Sequence, residues 1–108
     1  MEVTVSGRHI DVTAPIRAYA VKRLGKLSRY YDRVMAAEVV IDKADPHRFD
    51  VEVRIKAELG DPFVVRVVGE DVYAALDDAE KKLERKLTAF KEKRRNRKHL
   101  PSSRAPQV

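Results

Sequence analysis

RFDVEVRIKAEL, residues 48–59, alternates along its whole length. Phe49, Val51, Val53, Ile55, Ala57 and Leu59 fall on one side of an extended chain, and Asp50, Glu52, Arg54, Lys56 and Glu58 fall on the other. A strand with one apolar and one charged face belongs to a sheet that is covered on one side and wet on the other. Antiparallel sheets tolerate that arrangement and parallel ones rarely do. Working outward, ADPHR (44–48) reads as a turn and AAEVVIDKA (36–44) as the strand before it. GDP (60–62) turns the chain into FVVRVV (63–68), which Gly69 ends. At the N-terminus EVTVSGR (2–8) places Val3 and Val5 on one side of a short strand that closes at Gly7.

Two helical stretches supply the missing cover. In IDVTAPIRAYAVKRLGKLSRYYDRV, Thr13 can accept an amide hydrogen bond as an N-cap and Pro15 suits a first turn, so a helix is expected from about Ala14 to Arg33. At ~100° per residue Ile16, Ala20, Leu24, Leu27 and Tyr31 form one buried stripe. Gly25 costs that helix roughly 1 kcal/mol relative to Ala, which reads as close packing. The second helix is expected from about Asp71 to as far as Arg97, with Tyr73, Leu76, Leu83, Leu87 and Phe90 facing the sheet and Glu80 at the stripe's edge. NRKHLPSSRAPQV has Pro, Ser and no apolar period, so residues 98–108 are expected to be a disordered basic tail beyond a domain of residues 1–97. The architecture is α+β, βαβββα, a four-stranded, mainly antiparallel sheet with two helices packed on one face.

With 108 residues the chain suffices for one domain. It has no Cys, which removes disulfides, thiolate metal sites and a cysteine nucleophile together. No leader pattern opens it and no long apolar run interrupts it, so the cytoplasm is the expected location, with no membrane contact. His9, His47 and His99 lack the spacing of a metal site, and the four glycines make neither a phosphate loop nor a dinucleotide fingerprint. Asp77 and Asp78 are neighbours whose side chains diverge on a helix. No nucleophile–base order stands out. The sequence therefore argues against an enzyme, a cofactor and a small-molecule substrate.

The net charge of +6 is sorted along the chain. Residues 17–33 carry six basic groups against Asp32, and residues 77–108 carry eleven against five acids, whereas the remainder is mildly acidic. Within the first helix Lys22, Lys26, Arg29 and Arg33 follow the i, i+4, i+7, i+11 spacing of one face, roughly opposite the apolar stripe. Lys82, Lys86 and Lys93 make a similar line on the second, with only Ala75, Ala79 and Ala89 interleaved. The run KEKRRNRK adds Lys91, Arg94 and Arg95. A solvated helix usually mixes signs to gain i,i+4 pairs, so this sorting points to a polyanion. Two helices on one face of a sheet would set the lines side by side, at the width of a nucleic-acid backbone. The open sheet face would repel RNA through Asp50, Glu52 and Glu58. Tyr31 belongs to the apolar stripe, which leaves Tyr30 as a candidate ring for stacking on a base.

VSGRHIDVTAPIRAYAVKRLGKLSRYYDR (5–33), VVI (39–41), EDVYAALDDAEKKLERKL (70–87) and KEK (91–93) resemble the short ribosome hibernation-promoting factors, also called ribosome-associated inhibitors, over about residues 2–95. That resemblance implies a βαβββα protein, a monomer when free, that binds the small ribosomal subunit and the 70S ribosome. The partner would be 16S rRNA in the messenger and tRNA channel at the A and P sites, occupied in stationary phase or stress to block translation. The family's rRNA contacts carry over to Lys22, Lys26, Arg29, Arg33, Lys82, Lys86, Lys91 and Lys93, with Arg23 and Arg85 beside them. Two rivals remain at this stage: a free-standing double-stranded-RNA binder, whose last helix should begin basic where this one begins EDVYAALDD, and a regulator of an acidic protein partner.

Overall fold

The computed structural model describes residues 1–29, 33–58 and 62–99, with the backbone alone for residue 44 and residues 94–99. Its order is β1 (Glu2–Arg8), α1 (Ala14–Gly25), a 3₁₀ turn (Lys26–Arg29), β2 (Val34–Asp45), β3 (Arg48–Ala57), β4 (Phe63–Gly69) and α2 (Val72–His99). The strands lie in the order β1-β2-β3-β4. β1 runs parallel to β2, a pairing that requires a crossover, and α1 provides it. The other two pairs are antiparallel, with Val53 opposite Val39 on one side and Val65 on the other. The one-sided alternation of β3 holds: Val51, Val53 and Ile55 are fully buried, joined by Val39 and Ile41 from β2. Leu59 and most of the 60–62 turn lie outside the described residues.

α1 lies over β1, and α2 lies over β3 and β4. Thr13 caps α1, accepting a hydrogen bond from the Ile16 amide at 3.3 Å, and Pro15 sits in the first turn. Ile16, Ala20, Leu24 and Leu27 are buried as the periodicity requires; Tyr30 and Tyr31 lie outside the described residues. The helix is shorter than expected. It ends at Gly25, where the Lys26 amide is shared between the carbonyls of Arg23 and Leu24 and the chain tightens into the 3₁₀ turn. Ser28 Oγ donates to the Gly25 carbonyl at 3.0 Å, satisfying an oxygen that the ending helix leaves free. Gly25 is not a close-packing residue, because a Cβ there would meet nothing within 4 Å.

In α2, Leu76, Leu83 and Leu87 are fully buried, and so are Ala79 and, nearly, Val72 and Ala75. Alanines 75 and 79 thus belong to the core side of the helix and not to its basic line. Tyr73 is 38% exposed at the margin, where its ring meets Tyr19 edge-on at 5.0 Å. Phe90 packs edge-on against Phe63, 5.1 Å between centroids. Lys91, Glu92 and Lys93, just beyond, are exposed. The helix continues to His99, two residues past its expected end, so the expected tail begins inside it; residues 100–108 lie outside the described residues.

Gly7 is the glycine that the fold needs. A Cβ there would penetrate the Ile10 carbonyl oxygen and press on Val12 Cγ2 at 3.0 Å, because the chain folds back over the end of β1. His9 turns the chain with φ 60°, and its Nδ1 lies 2.9 Å from Asp42 Oδ1. The two glycines predict opposite outcomes. Gly7→Ala should destabilise by about 1–3 kcal/mol through overpacking against backbone. Gly25→Ala should stabilise by about 0.4–1 kcal/mol, since nothing crowds the site and the unfolded chain loses freedom. Thermal unfolding of both variants checks the pair, and a stabilised Gly7→Ala would contradict the close approach at β1.

Candidate nucleic-acid interface

A helix over a sheet turns its apolar side inward, so the side chains left for a partner are those on its outer face and flanks. On α1, Lys22 projects outward and exposed, while Arg23 faces α2. The tightening at Lys26 does not scatter the basic residues that follow. A 3₁₀ helix repeats about every 3.0 residues, so Lys26 and Arg29 stay on one side of it. Lys26 is half-buried and Arg29 exposed. Arg33 leaves the line: its Nη1 donates to Glu58 Oε1 at 3.1 Å, and its carbonyl accepts from the Glu58 amide at 2.8 Å. The continuous four-residue line expected from an unbroken helix is therefore Lys22, Lys26 and Arg29, with Arg33 tied to the end of β3.

Arg23 occupies the seam between the helices. Its Nε donates to Asp77 Oδ1 at 2.6 Å and stands 3.6 Å from Glu80 Oε1. Tyr19 Oη donates to the same Asp77 oxygen, also at 2.6 Å, and the Arg23 guanidinium lies 5.7 Å from the Tyr19 ring centroid. Glu80, 7% exposed, is the buried acid of this cluster. The Arg23 hydrogen bond holds the Asp77 carboxyl below the usual carboxylate range, aided by Tyr19 and opposed by partial burial. The Asp77 hydrogen bond in turn raises Arg23 above its ordinary value and pushes Tyr19 up. Arg17 is also committed, its Nη1 donating to the Val5 carbonyl of β1 at 3.0 Å.

On α2 the helical spacing separates two flanks. Tyr73, Asp77 and Glu80 face α1; Lys82, Lys86 and Lys93 lie roughly 180° around the axis. Lys82 reaches the β4 side, its Nζ 3.5 Å from the Arg66 carbonyl. The two basic lines are not neighbours across the helix seam, because the acidic flank of α2 fills it. The basic surface instead passes from Lys22, Lys26 and Arg29 over the outer crest of α2, at Lys81 and Arg85, to Lys82 and Lys86 on the far flank. Arg85, Lys86, Lys91 and Lys93 are exposed, and Arg94 and Arg95 lie within α2. Among the described residues Lys22, Lys26, Arg29, Lys82, Arg85, Lys86, Lys91 and Lys93 make no ion pair. Sequence reasoning missed Lys81, for which its place one residue before the Lys82 line was the available signal, and it missed the Arg23–Asp77 pairing, for which spacing gives none.

The open sheet face differs in kind. There Arg66 clasps Asp50 through two hydrogen bonds, Nε to Oδ1 at 2.8 Å and Nη2 to Oδ2, which lowers the Asp50 carboxyl. Arg54 and Glu52 stand 4.0 Å apart beside them. Signs are mixed on that face, and Arg54 and Arg66 already have acids. No group of three or more His, Cys, Asp or Glu able to hold a metal occurs among the described residues, and no described helix is long and apolar enough to cross a membrane.

The pairing at Asp77 has a pH signature. A carboxylate held below its unfolded value stabilises the folded state above the ordinary carboxylate pKa, and that contribution disappears as pH falls through the folded value. Asp77→Asn should therefore melt below the wild type at pH 7, with the gap closing below about pH 4. Thermal melts between pH 3 and 7 check this; a gap independent of pH would mean that the carboxylate charge contributes nothing.

Residues 3–95 match the family described as Sigma 54 modulation protein / S30EA ribosomal protein. The chain is 32% identical over 96 residues to a ribosome hibernation promoting factor of Pseudomonas putida, covering 89% of this chain and 92% of that one. It is 30% identical over 98 residues to the ribosome-associated factor Y of Haemophilus influenzae, covering 91% and 90%. Among solved structures, the N-terminal domain of Thermus thermophilus protein Y superposes with a TM-score of 0.75 at 32% identity, over 83% of this chain and 99% of that domain. A ribosomal subunit interface protein of Coxiella burnetii, 20% identical, shares the fold with a TM-score of 0.77 over 85% of this chain and 99% of its own.

Proposed function

Because this chain belongs to the Sigma 54 modulation protein / S30EA ribosomal protein family, we propose that it is a ribosome hibernation factor that binds the small subunit and the 70S ribosome through 16S rRNA. It lies in the messenger and tRNA channel at the A and P sites and blocks translation in stationary phase or stress. The observation that carries the reading is the division of charge across the helical layer. The acids of α2 that face α1 are consumed internally by Arg23 and Tyr19, while Lys22, Lys26, Arg29, Lys82, Arg85, Lys86, Lys91 and Lys93 face solvent or border it and, among the described residues, make no ion pair. The names of the relatives, hibernation promoting factor and ribosome-associated factor, point the same way.

Inhibition in this reading is steric. The protein occupies the space that messenger and tRNA require, and no bond is made or broken. Affinity comes from release of counterions as Lys and Arg side chains neutralise phosphates, and site preference comes from the fixed spacing of two helices on a sheet, which matches folded RNA by shape. Arg23 acts here as a positioning residue, holding α1 and α2 at one separation instead of touching phosphate. A double-stranded-RNA module is disfavoured by the start of α2, where Glu70 and Asp71 stand in place of a phosphate-gripping basic end.

Sedimentation of purified ribosomes and subunits with the protein tests this directly. Co-migration with the small subunit and 70S should be lost as salt rises; with eight phosphate contacts the slope of log affinity against log salt is about −6 to −7. Lys22→Glu combined with Lys26→Glu and Arg29→Glu should abolish co-migration with circular dichroism unchanged. Retained binding by that variant removes α1 from the interface, and a wild-type protein that stays at the top of the gradient at low salt overturns the ribosome reading. The role given to Arg23 separates from that of Lys22 in the same assay. Lys22→Gln should reduce the slope by about one contact, whereas Arg23→Gln should weaken binding with the slope unchanged.

A further inference from the structure

β4 closes the sheet on one side, since the strand order is β1-β2-β3-β4. One line of its backbone groups therefore has no strand beside it among the described residues. Lys82 identifies the line: its Nζ, on the flank of α2, lies 3.5 Å from the Arg66 carbonyl, which requires that oxygen to point away from β3. In an antiparallel ladder the amide and carbonyl of one residue point the same way, and every second residue repeats the direction. Val64, Arg66 and Val68 thus turn both groups outward, while Val65 and Val67 bond to β3 opposite Val53 and Val51.

The surroundings of this edge are specific. On its helix side a notch of about 310 Å³ opens against α2, where Lys81, Lys82 and Arg85 outnumber Asp78. On its open side Val64 and Val68 are 39% and 49% exposed, flanking Arg66, whose guanidinium Asp50 already neutralises. Strand edges are commonly blunted by proline, bulges or inward charge. β4 has no proline within Phe63–Gly69, Pro62 standing just before it, and its pairing with β3 runs without a register shift. Among the described residues Lys82 guards this edge, an exposed side chain at the limit of hydrogen-bond distance, which can leave at little cost.

We propose that the outer edge of β4 accepts an extended acidic peptide as a fifth strand. Its acidic residues face Lys81, Lys82 and Arg85, and its alternate apolar residues cover Val64 and Val68. The edge favours peptide over nucleic acid because it alternates donors and acceptors. Phosphate oxygens only accept and cannot meet the outward carbonyls, whereas a peptide strand supplies donor and acceptor together at the strand's own repeat. The proposal does not depend on the ribosome reading, although Lys82 and Arg85 belong to both surfaces, so occupancy of one weakens the other.

The probe is a labelled, end-capped nonapeptide alternating Glu with Val, titrated against the full chain at low salt without ribosomes. Saturable binding is expected, with amide exchange slowed at Val64, Arg66 and Val68 and unchanged at Val65 and Val67. Val64→Pro deletes one outward N–H without touching the β3 ladder, and should weaken the peptide about fivefold while ribosome co-sedimentation is unchanged. If that variant loses its native circular dichroism, Lys82→Glu serves in the peptide titration and should weaken binding about tenfold or more through charge reversal beside the acids. Absence of binding, or equal binding by the Lys-for-Glu peptide, overturns the proposal. So does protection of the three outward amides by an RNA oligonucleotide and not by the peptide. Ribosome co-sedimentation is read separately, so either reading can fail alone.

Discussion

The sheet has one apolar face, and burying it constrains everything else in the molecule. Val39 and Ile41 of β2 and Val51, Val53 and Ile55 of β3 form a central band with no exposure, and each such side chain contributes about 1.5–3 kcal/mol when removed from water. Two helices of unequal length cover that band, α1 toward β1 and α2 across β3 and β4. The cover determines which side of each helix a partner can reach. Ile16, Ala20 and Leu24 fix the rotation of α1, and Leu76, Ala79, Leu83 and Leu87 fix that of α2. Once those residues point inward, Lys22 and Lys86 have nowhere to go but outward.

Between the helices, polar groups replace the apolar core. Asp77 Oδ1 accepts from both Tyr19 and Arg23, and Glu80 closes the cluster from below. A carboxylate serving two donors on the opposing helix fixes separation and register together, which apolar contact alone does loosely. It also explains part of the charge sorting in the sequence. Asp77 and Glu80 are used within the fold while Asp78 stays exposed, so two of the acids of the second half do not offset the cations on its outside. The result is a basic surface divided by a neutral seam, and any polyanion laid on it must contact the α1 cations and the α2 crest as two groups.

The strands were legible because the period of two maps each residue to a face without reference to anything distant. Helix α2 was legible in existence and direction, yet Ala75 and Ala79 were placed on the wrong side. Alanine carries little preference for either side, and only the neighbouring sheet decides. The end of α1 was not legible, since Leu27 keeps the apolar spacing through the 3₁₀ turn and conceals the change of helix type. Gly25, read as a packing residue, was the visible mark of that end. Arg33 looked like a member of a basic line, and the resemblance put Arg23 beside it, because their acids, Glu58 and Asp77, lie 25 and 54 residues away in sequence. A helical wheel shows where a charge points but not what meets it there.

The far end of α2 obeys different physics. After Phe90 the described side chains no longer bury anything, yet the helix runs on to His99. The sequence there, KEKRRNRKH, sets Lys91 against Arg94 and Arg95 at i+3 and i+4 with Glu92 as its one acid. Like charges at that spacing cost a helix about 0.2–0.5 kcal/mol per pair, and Lys91, Glu92 and Lys93 are exposed and offset none of it by burial. Strong helix formers such as Lys and Arg keep the segment helical, but only marginally. An array of phosphates reverses the sign of that cost, since each cation then has a counter-charge and the repulsion is screened. Under the proposed function the overhang is therefore stabilised by the same contacts that provide affinity. Helix formation at the end of α2 and binding to RNA are thus linked, each favouring the other by the same free energy.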